Sequence, residues 1–217
     1  MIANNNRVEQ IELNHSKQLR ILLLNQNRLH ELPKLKLLGL EELGLASNQL
    51  KDLSGTEELI LLKKLDLSHN RIQDIDQLSF LYLNELNLSG NGLTTIKDLF
   101  LPCLQEFRLN DNKLIGKGNG VAFLPNLKEL NVDDNRLEGF GCVWWLLRFS
   151  KGAEVIRYGN NEYFLSLREK VREVYESMLY KEFPALKILN DAPSDRGLAQ
   201  YYKENYSIYF DGSTFFQ

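Results

Sequence analysis

The chain has too few cysteines to be held together by them. Cys103 and Cys142 are the only two in 217 residues, which excludes a disulfide framework of the kind that staples small secreted domains. Neither has His or Cys neighbours at metal-ligand spacing, so no zinc site is built on them, and both read as reduced core thiols. Excess charge is lacking too. A formal net charge of -3 gives no overall basic field to hold nucleic acid or an anionic membrane. No apolar run approaches the roughly 20 residues that span a bilayer, and Met1–Arg7 lacks the pattern of a secretory signal. A soluble chain of the cytoplasm or nucleus is expected, in which the sequons at Asn14, Asn87 and Asn205 carry no glycan.

Catalytic constellations are equally scarce. The three histidines, His15, His30 and His69, stand at unrelated places, with no Cys, Ser or carboxylate beside them in a recognisable arrangement. Gly116-Lys117-Gly118-Asn119-Gly120 lacks the spacing of a phosphate-binding loop. The expectation is a protein that is no enzyme and has no catalytic residue, cofactor or metal site.

What the chain has in plenty is leucine at a fixed interval. Leu19 to Leu29 reads L-x-x-L-x-L-x-x-N-x-L, and the string recurs from Leu40, Leu62, Leu83, Leu104 and Leu127, with Phe107 and Val132 as substitutions. The second apolar anchor falls at Leu22, Leu43, Leu65, Leu86, Phe107 and Leu130, at spacings of 21, 22, 21, 21 and 23; Ile156, Tyr158 and Asn161 form a degenerate seventh unit 26 residues on. In each L-x-L the strand period of two sends the leucines to one face and the residue between them to the other. Asparagines 27, 48, 70, 91, 112, 135 and 161 recur where the chain leaves the strand, and are expected to bond neighbouring backbone as a ladder. Asn70-x-Ile72-x-x-Ile75-x-x-Leu78-x-x-Leu81 advances by threes, which predicts a tight helical turn or 3₁₀ segment on the outer side. A single unit cannot bury its leucines, so stacked neighbours close the core and unlike ends cover it.

This pattern resembles the leucine-rich-repeat family, in particular the short intracellular class typified by a regulatory subunit of protein phosphatase 1. The resemblance implies an α/β fold, a right-handed curved solenoid with a parallel sheet on its concave face, over residues 19–163. An N-terminal capping segment is expected over 1–18, with a hairpin or strand through Asn14–Lys17. Residues 164–217 read as a C-terminal cap. Ser166-Leu167-Arg168-Glu169 predicts a capping box, followed by a helical stripe of Leu167, Val171, Val174, Met178 and Leu179 that Pro184 stops. Phe183–Asn190 resembles the closing strand of the caps found in a spliceosomal A-prime protein, an axonemal dynein light chain and messenger-RNA export factors, although Asn190-Asp191 stands where such caps have Asp-Gly. In the tail, Ser194 is expected to start a short helix and Asp211-Gly212 a hairpin with Tyr209 and Phe215 on its arms, packed on the cap or offered to a partner.

The repeat register also states which residues face outward on the concave side. One column is Ile21, Glu42, Lys64, Glu85, Glu106, Glu129 and Val155; the next is Leu23, Gly44, Asp66, Asn87, Arg108, Asn131 and Arg157; a third, just before each asparagine, is Gln26, Ser47, His69, Gly90, Asp111, Asp134 and Asn160. Acids outnumber bases, and aligned Glu85, Glu106 and Glu129 repel unless salt or a basic partner screens them. Ile21 and Leu23 are expected either to be covered by the N-terminal segment or to stand as a hydrophobic anchor beside the charged stretch. In the apolar run Phe140–Phe149, one tryptophan is expected in the core and the other half exposed. The expected activity is therefore a protein–protein interaction module or assembly subunit, a monomer within a hetero-complex, that receives a basic segment of a protein partner. The resemblance of the cap also implies an alternative, a subunit of an RNA-processing or export complex that touches RNA mainly through a partner.

Overall fold

The computed structural model describes residues 1–11, 18–32, 35–116, 119–190 and 192–193. Each repeat contributes one short strand to a single sheet: β1 (Ile21–Leu23), β2 (Glu42–Gly44), β3 (Lys64–Asp66), β6 (Glu85–Asn87), β8 (Glu106–Arg108), β10 (Glu129–Asn131) and β11 (Val155–Arg157). All pair parallel, and their register matches repeat to repeat, with Leu22 opposite Leu43, Leu65 opposite Leu86, and Leu130 opposite Ile156. The fold is a right-handed leucine-rich-repeat solenoid with this sheet on its concave side. Its anchors, from Leu22 to Ile156, are buried.

The asparagine ladder holds the register. Asn48 Nδ2 donates to Leu45 O of its own repeat and to Leu24 O of the repeat before, both at 3.0 Å, while its Oδ1 accepts Leu29 N at 3.0 Å. Asn70, Asn91, Asn112, Asn135 and Asn161 repeat this arrangement. Each amide thus closes backbone groups that the tight bend would otherwise leave buried and unpaired. Immediately before every rung the backbone is left-handed: Gln26, Ser47, His69, Gly90, Asp111, Asp134 and Asn160 have φ of 51–66°. Those side chains were read as part of the outward face; they are turn residues first.

On the outer side the expected helical turns give way to strands. β4 (Asp74–Ile75) and β5 (Leu78–Ser79) both pair parallel with β7 (Thr95–Phe100), which also pairs with β9 (Asn119–Phe123). The period of three has a different cause from the one assumed. Gln77, between β4 and β5, is left-handed at φ 57°. This kink resets the alternation, so Ile75 and Leu78 both point inward although three residues apart. Among the described residues helix is found at α1 (Gly141–Leu147), α2 (Glu162–Ser166) and α3 (Glu169–Glu182).

Both ends depart from expectation. Residues 1–8 run parallel to the first repeat: Ala3 N donates to Leu23 O at 2.8 Å, Leu23 N to Met1 O at 3.0 Å, and Arg28 N to Val8 O at 2.9 Å. Ile2 bridges Leu23. They stack on the sheet edge, so Ile21 stays 43% exposed and Leu23 only half-buried; the concave apolar pair is not covered. The hairpin placed at 14–17 lies outside the described residues. At the other end Ser166 closes α2, where its hydroxyl donates to Tyr163 O, and α3 starts at Glu169 with no side-chain cap. The capping box is therefore absent, because its serine is already helical. In α3 the inward face is turned toward Tyr175 and Leu179, while Val171 is 42% exposed. β12 (Ile188–Leu189) continues the sheet in parallel beside β11, and β13 (Ala192–Pro193) turns back antiparallel on it. The tail helix and hairpin, with Tyr209 and Phe215, lie outside the described residues.

Both tryptophans are partly buried: Trp144 packs on Phe183 at 5.7 Å between ring centroids, and Trp145 Nε1 donates to Gly120 O at 3.1 Å. The asymmetry expected of them is not seen. Cys103 and Cys142 carry free thiols, and burial pushes the Cys142 thiol up to about 12.

Candidate functional site

Parallel pairing in register sets the outward residues in straight columns, about 4.8 Å apart from strand to strand. In the first, Ile21, Glu42, Lys64, Glu85, Glu106 and Glu129 are consecutive Cα partners. In the second, Leu23, Gly44, Asp66, Asn87, Arg108, Asn131 and Arg157 follow one another likewise. The structure aligns the residues read as outward in these two columns, and Val155, which continues the first beside Glu129, is buried instead.

Their electrostatics differ from the row of repelling carboxylates that was anticipated. Lys64 Nζ lies 2.6 Å from Glu85 Oε1, and Arg108 Nη2 lies 2.6 Å from Glu106 Oε2. The Glu85 carboxylate raises the Lys64 ammonium above its ordinary range, chiefly through that hydrogen bond. The middle of the face is thus paired within itself, and the bases that alternate between the columns relieve the acids stacked along them. Asp66, Asn87 and Asn131 each accept the backbone N–H two residues on, at 3.0, 3.1 and 2.9 Å. These three serve the turn as well as the surface, a local pattern that Asx residues favour.

Gly44 lines a depression on the face. A Cβ there would lie 2.9 Å from both Leu23 Cδ2 and Asn25 Oδ1, so only glycine lets those side chains fold across β2. The result is a shallow depression of about 260 Å³, floored by Gly44 and walled by Leu23, Lys64, Glu85 and Arg108.

Three features escaped the sequence reading. Ile2, 72% exposed, extends the apolar end of the face; its signal was Asn6, 21 residues before Asn27 like a further rung. Asn25 accepts Ala46 N at 2.8 Å and links repeats on the same surface. Off the concave face, Leu38, Ile60, Leu81 and Tyr82 make an apolar strip, each more than half exposed. These four occupy the two positions before the first leucine of a unit. Next to that strip Arg20, Glu41 and Lys63 form a self-paired column, Glu41 lying 3.8 Å from Arg20 and 2.6 Å from Lys63.

A smaller depression, about 170 Å³, lies at the C-terminal end among Tyr158, Phe164, Tyr180 and Leu189. There the Tyr158 hydroxyl donates to Glu176 Oε1 at 3.2 Å, and burial raises both groups above their usual ranges. Among the described residues no group of three His, Cys, Asp or Glu is placed to hold a metal ion, and no helix is long and apolar enough to cross a membrane.

Comparison with known proteins agrees with this architecture. Residues 60–114 match the leucine rich repeat family. The fold is similar to YopM from Yersinia enterocolitica WA-314, with TM-score 0.58 and 24% identity over 74% of this chain and 33% of that one. It is also similar to a chain of the octameric complex of Latrophilin 3 (Lec, Olf), Unc5D (Ig, Ig2, TSP1) and FLRT2 (LRR), with TM-score 0.64 and 21% identity over 87% of this chain and 65% of that one. This chain therefore spans less than two thirds of either. A comparison with curated proteins by sequence gave no match.

Proposed function

We propose that this leucine-rich-repeat solenoid is a non-enzymatic interaction module or assembly subunit, and that a protein partner lies along its concave face. The observation that carries this reading is the face itself: two columns of outward side chains on a sheet whose own backbone bonds are complete, over a depression of about 260 Å³. That volume lies below the roughly 300–1,000 Å³ of small-molecule pockets and suits one or two protruding side chains. Acids exceed bases along the columns, which supports a partner with a basic segment; a phosphate backbone would be repelled by the same charges. Repeat spacings of 21–23 support the short intracellular class, and free cysteines support a reducing compartment, cytoplasm or nucleus. The chain acts as a monomer within a hetero-complex.

The test is affinity capture with three forms of the full chain: the native protein, the concave double reversal Glu42→Lys with Glu129→Lys, and the outer control Lys51→Glu with Lys113→Glu. A partner retained by the control and lost by the concave variant supports the reading, and its association should slow as salt screens the charges. A partner lost equally from both variants, or from neither, would refute it. Tight binding of single-stranded RNA at physiological salt by the purified chain would refute it too.

A further inference from the structure

The rungs of the asparagine ladder are followed by long polar residues, such as Arg28, Arg71 and Lys113, except at Asn91, which Gly92 follows. The backbone does not require this glycine. Its φ is not left-handed, and a Cβ there would meet nothing nearer than Ile72 O at 3.5 Å. Asn91 is also the one rung that is half-buried, the others being buried. An Asn-Gly pair is chemically labile, because without a glycine side chain in the way the backbone nitrogen reaches the asparagine's own Cγ. In that reaction Gly92 N bonds to Asn91 Cγ, the Cγ–Nδ2 bond breaks, and Nδ2 leaves as ammonia with the Gly92 amide proton. Water then opens the cyclic imide at either carbonyl. The products are aspartate, or isoaspartate with the main chain rerouted through Cγ.

In the folded chain both reacting groups are held apart by one residue. Ile72 N donates to Asn91 Oδ1 at 3.0 Å, and Ile72 O accepts Gly92 N at 2.9 Å. The leaving group is held too, since Asn91 Nδ2 donates to Leu67 O and Leu88 O, both at 3.0 Å. We propose that Asn91-Gly92 is a spontaneous modification site governed by the fold: the amide persists while the rung is made and is converted to an acid when the chain stays unfolded. Conversion outlasts refolding. An aspartate at 91 sets a carboxylate against Leu67 O and Leu88 O where a donor stood, and like partial charges at that distance repel. An isoaspartate puts an extra methylene into the main chain and carries Gly92 N away from Ile72 O. Either product weakens the link between the third and fourth repeats. The chain is then less stable than before and unfolds again more readily, so one long unfolding is recorded permanently. No partner is needed for this, and the concave-face reading stands or falls separately.

The experiment holds the full chain at mildly alkaline pH, in buffer and in concentrated urea, and follows amide loss by peptide mapping with mass spectrometry. Gly118-Asn119-Gly120 repeats the tripeptide Gly90-Asn91-Gly92, so Asn119 in urea reports the rate of the unconstrained sequence. Asn91 should match it in urea, and in buffer should convert at least about tenfold more slowly than in urea, because the rung must first open. After dilution from urea, chains converted at Asn91 should melt about 5 °C or more below the native chain. Gly92→Arg, which carries the residue that follows Asn27 and Asn70, should keep Asn91 through the same exposure and regain the melt of its own fresh preparation. Asn119 converts in both chains, so the difference isolates the rung. Freshly made Asn91→Asp should melt below Asn91→Ala, and this comparison decides the consequence even where Gly92→Arg does not fold. Equal rates for Asn91 in buffer and in urea overturn control by the fold. Converted chains that melt with the native one, or an Asn91→Asp chain as stable as it, overturn the permanent record.

Discussion

The concave and outer sides of this solenoid are made by the same chain under opposite rules. On the concave side every repeat is three strand residues, paired in one register and locked by an asparagine. On the outer side no two stretches need agree: paired strands over 74–79 and 95–100, then a seven-residue helix over 141–147. Spacings of 21, 22, 23 and 26 residues between anchors are absorbed entirely there. What must repeat is the polar ladder, while apolar filling can be reached by several backbone routes.

That contrast is broken most directly by changing chain length. One residue inserted between Leu86 and Asn87 would send each following strand residue to the wrong face; we expect insoluble protein or loss of the cooperative melt, read by circular dichroism. Two residues inserted between Ile115 and Gly116, where a glycine Cβ would meet nothing within 4 Å, should cost less than about 1 kcal/mol in a urea titration. Equal costs for the two insertions would end the distinction.

Next in size are the rungs. Asn112→Ala strips bonds from Leu88 O, Leu109 O and Leu93 N in a buried setting, and at roughly 1–3 kcal/mol for each orphaned group the loss should reach about 3 kcal/mol or more. Asn91 makes the same bonds but is only half-buried, so water can replace them and Asn91→Ala should cost less. Chemical denaturation of both variants decides whether burial sets the worth of a rung.

The left-handed position gives a smaller effect. Ser47 has φ 56°, a conformation in which an L-residue is strained and a β-branched one more so. Ser47→Val should lower stability by about 1–2 kcal/mol and Ser47→Gly should raise it slightly, measured by thermal melting.

The smallest effect belongs to the C-terminal end, where Tyr158 replaces leucine in the core column and reaches Glu176. Burial holds the Glu176 carboxyl above its unfolded range. The native state therefore keeps its proton better than the unfolded chain does, and that advantage is present at acid pH and lost as pH rises through the raised value. Glu176→Gln should lift the melting temperature at pH 8 and leave it nearly unchanged at pH 4; the same gain at both would show that titration plays no part.

This division also explains what could be read from sequence. Leucine, asparagine and their spacing are backbone requirements of the concave side, so Leu22 through Ile156 and the face residues other than Val155 were legible down to their columns. The outer strands were not, because a period of three arises equally from a 3₁₀ turn and from extended chain kinked at a left-handed residue, and Gln77 carries no glycine to betray the kink. The Lys64–Glu85 pair was legible as neighbours in one column, whereas the Arg108–Glu106 pair was not. A column shows only what stands above and below, whereas Arg108 pairs across to the neighbouring one.

Each asparagine also gives the solenoid a direction. Leu29 N, Leu50 N, Leu93 N and Leu114 N find their acceptors only in an asparagine 19 to 21 residues further on. These amides are latched by the turn that follows, whereas Glu42 N and Gln49 N are latched by the turn before, at Arg20 O and Leu29 O. Removing the last turn strands a buried amide in the one before. Removing the first leaves the next asparagine its own-turn carbonyls, as Asn48 has Leu45 O and Ala46 O. In its asparagine rungs, though not in its sheet bonds, the molecule is a one-way zipper.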